Sequence, residues 1–245
     1  IMDAEMRADA AVQLKYASKY ARIANGWKKW IGQIEGVQFS KGIDRKRKLE
    51  AEFTAHIAAD ANLWDKYSGL LNEITVNKMQ IAEGQLKRNE FIETIYYGME
   101  WFSLMSKLQR AKSALDVDVA LVDFHQNYSR TVSEKTTVAM LSMALKTFPD
   151  LLGDMGEATF VNTVHKEIDA LIELATKDEP IELETVAPTA SKFNTSAFQA
   201  FYAVSPDNAF LQKATELSAE YMRALMKVFP ERNFYPDANS TLRVT

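Results

Sequence analysis

The chain has 245 residues, more than one average domain, and with 47% hydrophobic and 11% aromatic residues it can bury a core of normal size. Thirty-three acids against 29 Lys and Arg give a formal charge of -4, which argues against a dedicated nucleic-acid binder. The absence of cysteine excludes disulfides, thiolate zinc sites and thiol catalysis. No apolar run approaches the ~18 residues of a membrane span, and Ile1-Met2-Asp3-Ala4-Glu5 does not read as a signal peptide.

Glycine (9) and proline (6) are scarce, and the first proline is Pro149. Sandwiches and barrels need frequent Gly/Pro turns, and βαβ units need β-branched runs between helices. Neither pattern is present, so the expected fold class is all-α, a multi-helix domain with long amphipathic helices. The first helix carries Val12, Tyr16, Tyr20, Ile23, Trp27, Trp30 and Ile34 at spacings of three and four, an apolar stripe expected to face the domain's own core. Gly36 reads as its C-cap region. A second helix is expected near Asp44, whose carboxylate can cap it, with Leu49, Phe53 and Ile57 as its stripe. Leu63, Tyr67, Leu70, Leu71 and Ile74 mark a third helix. Phe91, Ile95, Met99, Phe102, Met105 and Leu108 mark a fourth.

A shorter helical segment runs from Asp116 to about His125. The next begins around Ser133 and is stopped by Pro149, and Phe160 to Leu174 gives another. Lys177 to Pro188, with several acids and two prolines, reads as a loop, and the last helix opens at Ser205-Pro206. Beyond Pro230 the pattern changes. Pro236-Asp237 reads as a turn, and Thr241 to Thr245 alternates like a strand with no partner strand in the chain. The expected division is a helical domain over residues 1–230 and an extended segment over 231–245, belonging to a sheet outside the chain.

Motifs that carry chemistry are absent: no Gly-x-Ser-x-Gly, no P-loop, no Gly-x-Gly-x-x-Gly. His56, His125 and His165 stand outside metal-binding spacings and read as helix-surface or partly buried structural residues, Asp123-Phe124-His125 included. No metal or other cofactor is expected. Arg45-Lys46-Arg47-Lys48 reads as a solvated helix face. The Met-rich segment Phe91 to Leu108 reads as core, and Glu83, Glu90, Glu93 and Glu100 as surface charges. Asn25 lies two residues before Trp27, about 200° round the helix from the apolar stripe. The plain reading is an exposed surface amide. The functional one is an amide aimed at another surface, with Gly26 permitting close approach.

Two segments carry a resemblance. Tyr16-Ala-Ser-Lys-Tyr20-Ala-Arg-Ile-Ala-Asn25-Gly-Trp27-Lys-Lys-Trp30-Ile31-Gly32, preceded by Ile1-Met2-Asp3-Ala4, and Asn233-Phe-Tyr-Pro-Asp-Ala-Asn239-Ser-Thr-Leu-Arg-Val-Thr245 resemble bacterial dipeptidyl-peptidases 7 and 11. These are serine exopeptidases, and the likeness leans to the acidic-specific dipeptidyl-peptidase 11. The resemblance implies a chymotrypsin-like double β-barrel with a Ser-His-Asp triad, and a helical cap inserted into it over the active-site cleft. This chain would be the cap, catalytically incomplete, with no catalytic residue of its own. Asn25 matches the position that helps bind the substrate's free α-amino group. The partners implied are a peptide substrate and the catalytic barrel of the same protein, with no nucleic acid and no membrane; a homodimer of the full-length enzyme is compatible. The implied location is the periplasm or cell surface of a Gram-negative bacterium. The alternative from the residues themselves is a stand-alone helical binding or scaffold domain.

Overall fold

The computed structural model describes residues 1–176, 181–204 and 206–234, and among them there is no strand. The expected turn at Pro236-Asp237 and the strand at Thr241 to Thr245 lie outside the described residues. The chain is all-α.

Helix α1 spans Met2–Ala8 and α2 spans Ala10–Ser40. The expected stop at Gly36 does not occur. An interior glycine costs a helix only about 1 kcal/mol, too little to end one this long. The chain turns at Lys41 instead, which takes a left-handed φ of 49°. Helix α3 spans Gly42–Ala58, so Asp44 sits inside its first turn, where it complements the helix dipole rather than capping. The stretch expected as one helix from Leu63 to Ile74 is two: α4, Ala61–Tyr67, and α5, Leu70–Phe91. Helix α4 starts where the Asp60 carboxylate accepts the amide N–H groups of Asn62 and Leu63.

The expected fourth helix is also broken. Helix α5 ends at Phe91 and passes into a π-helical turn, Ile92–Tyr96, in which the Tyr97 N–H reaches the Ile92 carbonyl at 2.9 Å. Helix α6, Glu100–Leu108, follows. Gly98 allows this junction: a Cβ there would lie 2.3 Å from the Thr94 carbonyl oxygen and 2.7 Å from Met140 Cγ. Helices α7, Ala114–Asn127, and α8, Arg130–Thr147, come next, and a 3-10 turn at Pro149–Leu152 follows. Ser113 caps α7 by accepting the Asp116 N–H. Helix α9 is Glu157–Thr176.

The region read as a loop up to Pro188 contains the short α10, Leu183–Val186, and Pro188 is the first residue of α11, Pro188–Ala203. Proline fits this position because the first helical turn does not use its N–H. The last helix, α12, runs Asn208–Val228, so it begins beyond Pro206 and not at the expected opening there, and the Asp207 carboxylate caps it by accepting the Ala209 N–H.

These helices form two compact units. The first holds residues 1–30 and the described residues of 84–205. Its core gathers Phe91, Ile95, Met99, Trp101, Phe102 and Met105 with Phe160, Val164, Ile168 and Phe193. Trp101 and Phe193 meet at 5.5 Å between ring centroids, and Phe160 and Phe193 at 4.8 Å. Each such buried side chain contributes about 1.5–3 kcal/mol. The Trp101 Nε1–H donates to Thr137 Oγ1 at 3.1 Å, so the buried indole leaves no donor unsatisfied. The Met-rich segment is core, as its sequence indicates.

The second unit holds residues 31–83 and the described residues from Pro206 on. Phe53, Ile57, Tyr67 and Leu70 pack there with Leu217, Leu225 and Phe229. Phe53 meets Tyr221 edge to face at 5.5 Å. Burial, and after it the charge of Glu50, pushes the Tyr221 phenol up to about 12.

Candidate functional site

Helix α2 is long, yet Tyr16 is its one buried side chain. The stripe expected to face the core does so only there, with Val12 half-buried. Ile23, Trp27, Trp30 and Ile34 are 53, 68, 61 and 48% exposed. Helical spacing fixes which residues share a face, but not whether another element covers that face.

What holds α2 within the first unit is mostly polar. The Tyr16 hydroxyl donates to Glu100 Oε1 at 2.6 Å and accepts the Ser129 N–H at 3.2 Å. Lys19 Nζ lies 3.0 Å from Glu100 Oε2, and Lys15 Nζ donates to the Tyr128 carbonyl at 2.7 Å. Burial, reinforced by the neighbouring Glu100 charge, drives the Tyr16 phenol far above its ordinary value, so it remains a donor. Glu100 is therefore not the plain surface charge its sequence position suggests. Glu90 likewise accepts the Thr147 hydroxyl. Partners 57 to 84 residues apart leave no mark in local periodicity.

Asn25 is exposed, and no described residue hydrogen-bonds its amide. At 100° per residue it shares a face with Arg22, one turn before, and Lys29, one turn after. Both are exposed. A Cβ added at Gly26 would meet nothing within 4 Å, so the surface beside Asn25 is open. This face can offer an uncharged acceptor to a donor approaching from outside.

The remaining candidates are structural. His165 is fully buried, beyond the partial burial expected of it. Its Nδ1 lies 2.8 Å from the Val161 carbonyl and its Nε2 3.1 Å from Ser133 Oγ. A carbonyl only accepts, so the proton sits on Nδ1, and Nε2 accepts the Ser133 hydroxyl. No carboxylate orients the ring, unlike a Ser-His-Asp arrangement. His56 packs edge-on against Phe229 at 4.7 Å, with its Nδ1 on the Glu52 carbonyl. Asp123 pairs with Lys107 at 3.5 Å. Among the described residues no group of His, Cys, Asp and Glu could hold a metal ion, and no helix is long and apolar enough to cross a membrane. Arg45-Lys46-Arg47-Lys48 is a solvated face of α3, and Lys46 reaches Glu50 at 3.3 Å.

Burial pulls the His165 imidazole below its ordinary value. The unfolded chain then binds more protons than the folded one just below about pH 6.5, so stability is full above that pH and is lost as pH falls. The melting temperature should drop between pH 7.5 and pH 5.5, and a His165→Gln variant should show a flatter profile (the two pH values bracket the usual histidine range). A melting temperature of the parent protein that is level across this window would contradict the assignment.

A model of the peptidase S46 family matches residues 1–245. The chain is 28% identical over 273 residues to an Asp/Glu-specific dipeptidyl-peptidase of Flavobacterium psychrophilum, covering 100% of this chain and 38% of that protein. It is 25% identical over 279 residues to an Asp/Glu-specific dipeptidyl-peptidase of Capnocytophaga gingivalis, covering 100% and 38%. It is 24% identical over 264 residues to dipeptidyl-peptidase 7 of Porphyromonas endodontalis, covering 98% of this chain and 32% of that one. The chain thus spans 32 to 38% of the length of these relatives. With every residue of this helical chain matched, it belongs to the peptidase S46 family.

Proposed function

We propose that this chain is the helical cap, residues 1–230, of a serine dipeptidyl-peptidase, and that Asn25 binds the free α-amino group of the peptide substrate. The observation that carries this reading is the state of Asn25: exposed on a long helix, with an amide that no described residue satisfies. An amide oxygen accepts from an ammonium without adding charge. Holding a free amine at a set distance from the scissile bond restricts cleavage to the second peptide bond, which is how dipeptides are released. Arg22 and Lys29 flank Asn25, so an ammonium held there needs a carboxylate, and that group comes from another part of the enzyme.

The stripe of Ile23, Trp27, Trp30 and Ile34 lies on the opposite face of α2 from Asn25 and has no part in the amine site. The relatives are more than twice as long as this chain, and the catalytic β-barrel proposed for the same protein faces the Asn25 side of α2. The Ser-His-Asp triad belongs to that barrel, as the resemblance implies, and residues 231–245 lead back to it. The site of action is the periplasm or cell surface of a Gram-negative bacterium, which fractionation of the source cells would check.

The purified 245-residue chain should therefore release no dipeptide from Leu-Asp or Gly-Phe reporter substrates, while the full-length enzyme does. Turnover that stays with the chain through further purification steps would refute the incomplete-cap reading.

A further inference from the structure

We propose that the contacts of Tyr16, Lys19 and Lys15 with Glu100, Ser129 and Tyr128 position Asn25 for the substrate's amine, with Tyr16 and Glu100 as positioning residues. The inference rests on the amine-binding reading of Asn25. Asn25 follows Tyr16 by nine residues, about 13.5 Å along the helix and half a turn round it. Between them α2 buries no side chain, so apolar packing does little to hold the segment in place. The four contacts come from a single turn of α2 and reach two separate places, the start of α6 and the α7–α8 junction.

Directional hydrogen bonds to two sites fix both the translation and the rotation of a helix, which apolar packing does less strictly. A roll of about 20° moves a side-chain tip at about 5 Å from the axis by about 2 Å. Misplacement of about 1 Å at a reacting centre can cost about a hundredfold. Losing the two contacts of the Tyr16 hydroxyl, with those of Lys15 and Lys19 kept, would produce only part of such a roll. The Tyr16 hydroxyl is the central contact, because it donates to Glu100 and accepts from Ser129 at once.

The test is steady-state kinetics on the full-length enzyme with a free-amine dipeptidyl reporter, using Tyr16→Phe, Asn25→Ala and the double variant. Tyr16→Phe keeps the ring and removes both hydroxyl contacts. It should raise KM about tenfold and leave kcat within about twofold. In the Asn25→Ala background the same change should add less than about twofold, because the group being positioned is gone. Glu100→Gln keeps an acceptor for Tyr16 but loses the charge facing Lys19, and should give a smaller rise in KM. Should Asn25→Ala matter while Tyr16→Phe leaves KM unchanged, the positioning role is overturned and the amine-binding reading stands. Additive effects in the double variant, or kcat and KM changing together with a lower melting temperature, would make Tyr16 a general stabilising residue and also overturn it. If Asn25→Ala has no effect, the amine-binding reading itself fails.

Discussion

Asn25→Ala in the full-length enzyme should lower kcat/KM for free-amine dipeptidyl substrates by roughly 10- to 150-fold, the equivalent of a hydrogen bond to a charged partner worth about 1.5–3 kcal/mol. The loss should fall mainly on KM, since an ammonium that takes no part in bond breaking is bound alike in ground and transition states. Folding stability should change little, because the exposed Asn25 amide has no partner among the described residues. An N-acylated substrate is the control: it lacks the ammonium and should be handled poorly with or without Asn25. Unchanged kcat/KM for the free-amine substrate would leave Asn25 an ordinary surface residue.

Trp101→Ala should have the largest effect on stability. Trp101 is wholly buried, touches the rings of Phe102, Phe160 and Phe193, and donates its one N–H to Thr137. Removing a buried indole costs about 3–5 kcal/mol through lost transfer energy and the cavity left behind. Thr137 Oγ1 also loses its donor. In a protein of this size that lowers the melting temperature by roughly 10 °C. Leu115→Ala, at a position 69% exposed, is the matched control and should cost less than about 0.5 kcal/mol. Equal melting temperatures for the two variants would show that the aromatic cluster is not the centre of the first unit's core.

The breaks in the long periodic segments were not legible in sequence. From Leu63 to Ile74 and from Phe91 to Leu108 the apolar spacing continues across helix breaks at Ser68-Gly69 and at the π-helical turn. Phe91, Ile95 and Met99 are spaced by four and all buried, a spacing that the wider π-helical turn accommodates as well as an α-helix does, so the stripe looks unbroken. Helix α11 is illegible in the sequence for the opposite reason. Its buried face mixes Ala190, Ser191, Asn194 and Ala197 with Phe193, and polar or small residues do not register as an apolar stripe. The structure makes that face buriable by pairing it. Asn194 Nδ2 donates to the Phe102 carbonyl and to Ser106 Oγ, and Gln109 Nε2 donates to Ser191 Oγ at 3.1 Å.

The sequence by itself determined the all-α class, through scarce Gly and Pro and through stripes at spacings of three and four. It also determined which residues share a face of α2, so Asn25 is set opposite Ile23, Trp27 and Trp30 by helical geometry. The resemblance carried by the Asn25 and Asn239 segments pointed to the family to which the chain belongs. Only the tertiary structure decided what covers each face. The Tyr16 end of the stripe is buried against Glu100 and Ser129, whereas the same stripe from Ile23 to Ile34 lies open. Periodicity is a property of one helix and burial a property of its neighbours, and those neighbours lie about a hundred residues away in the chain.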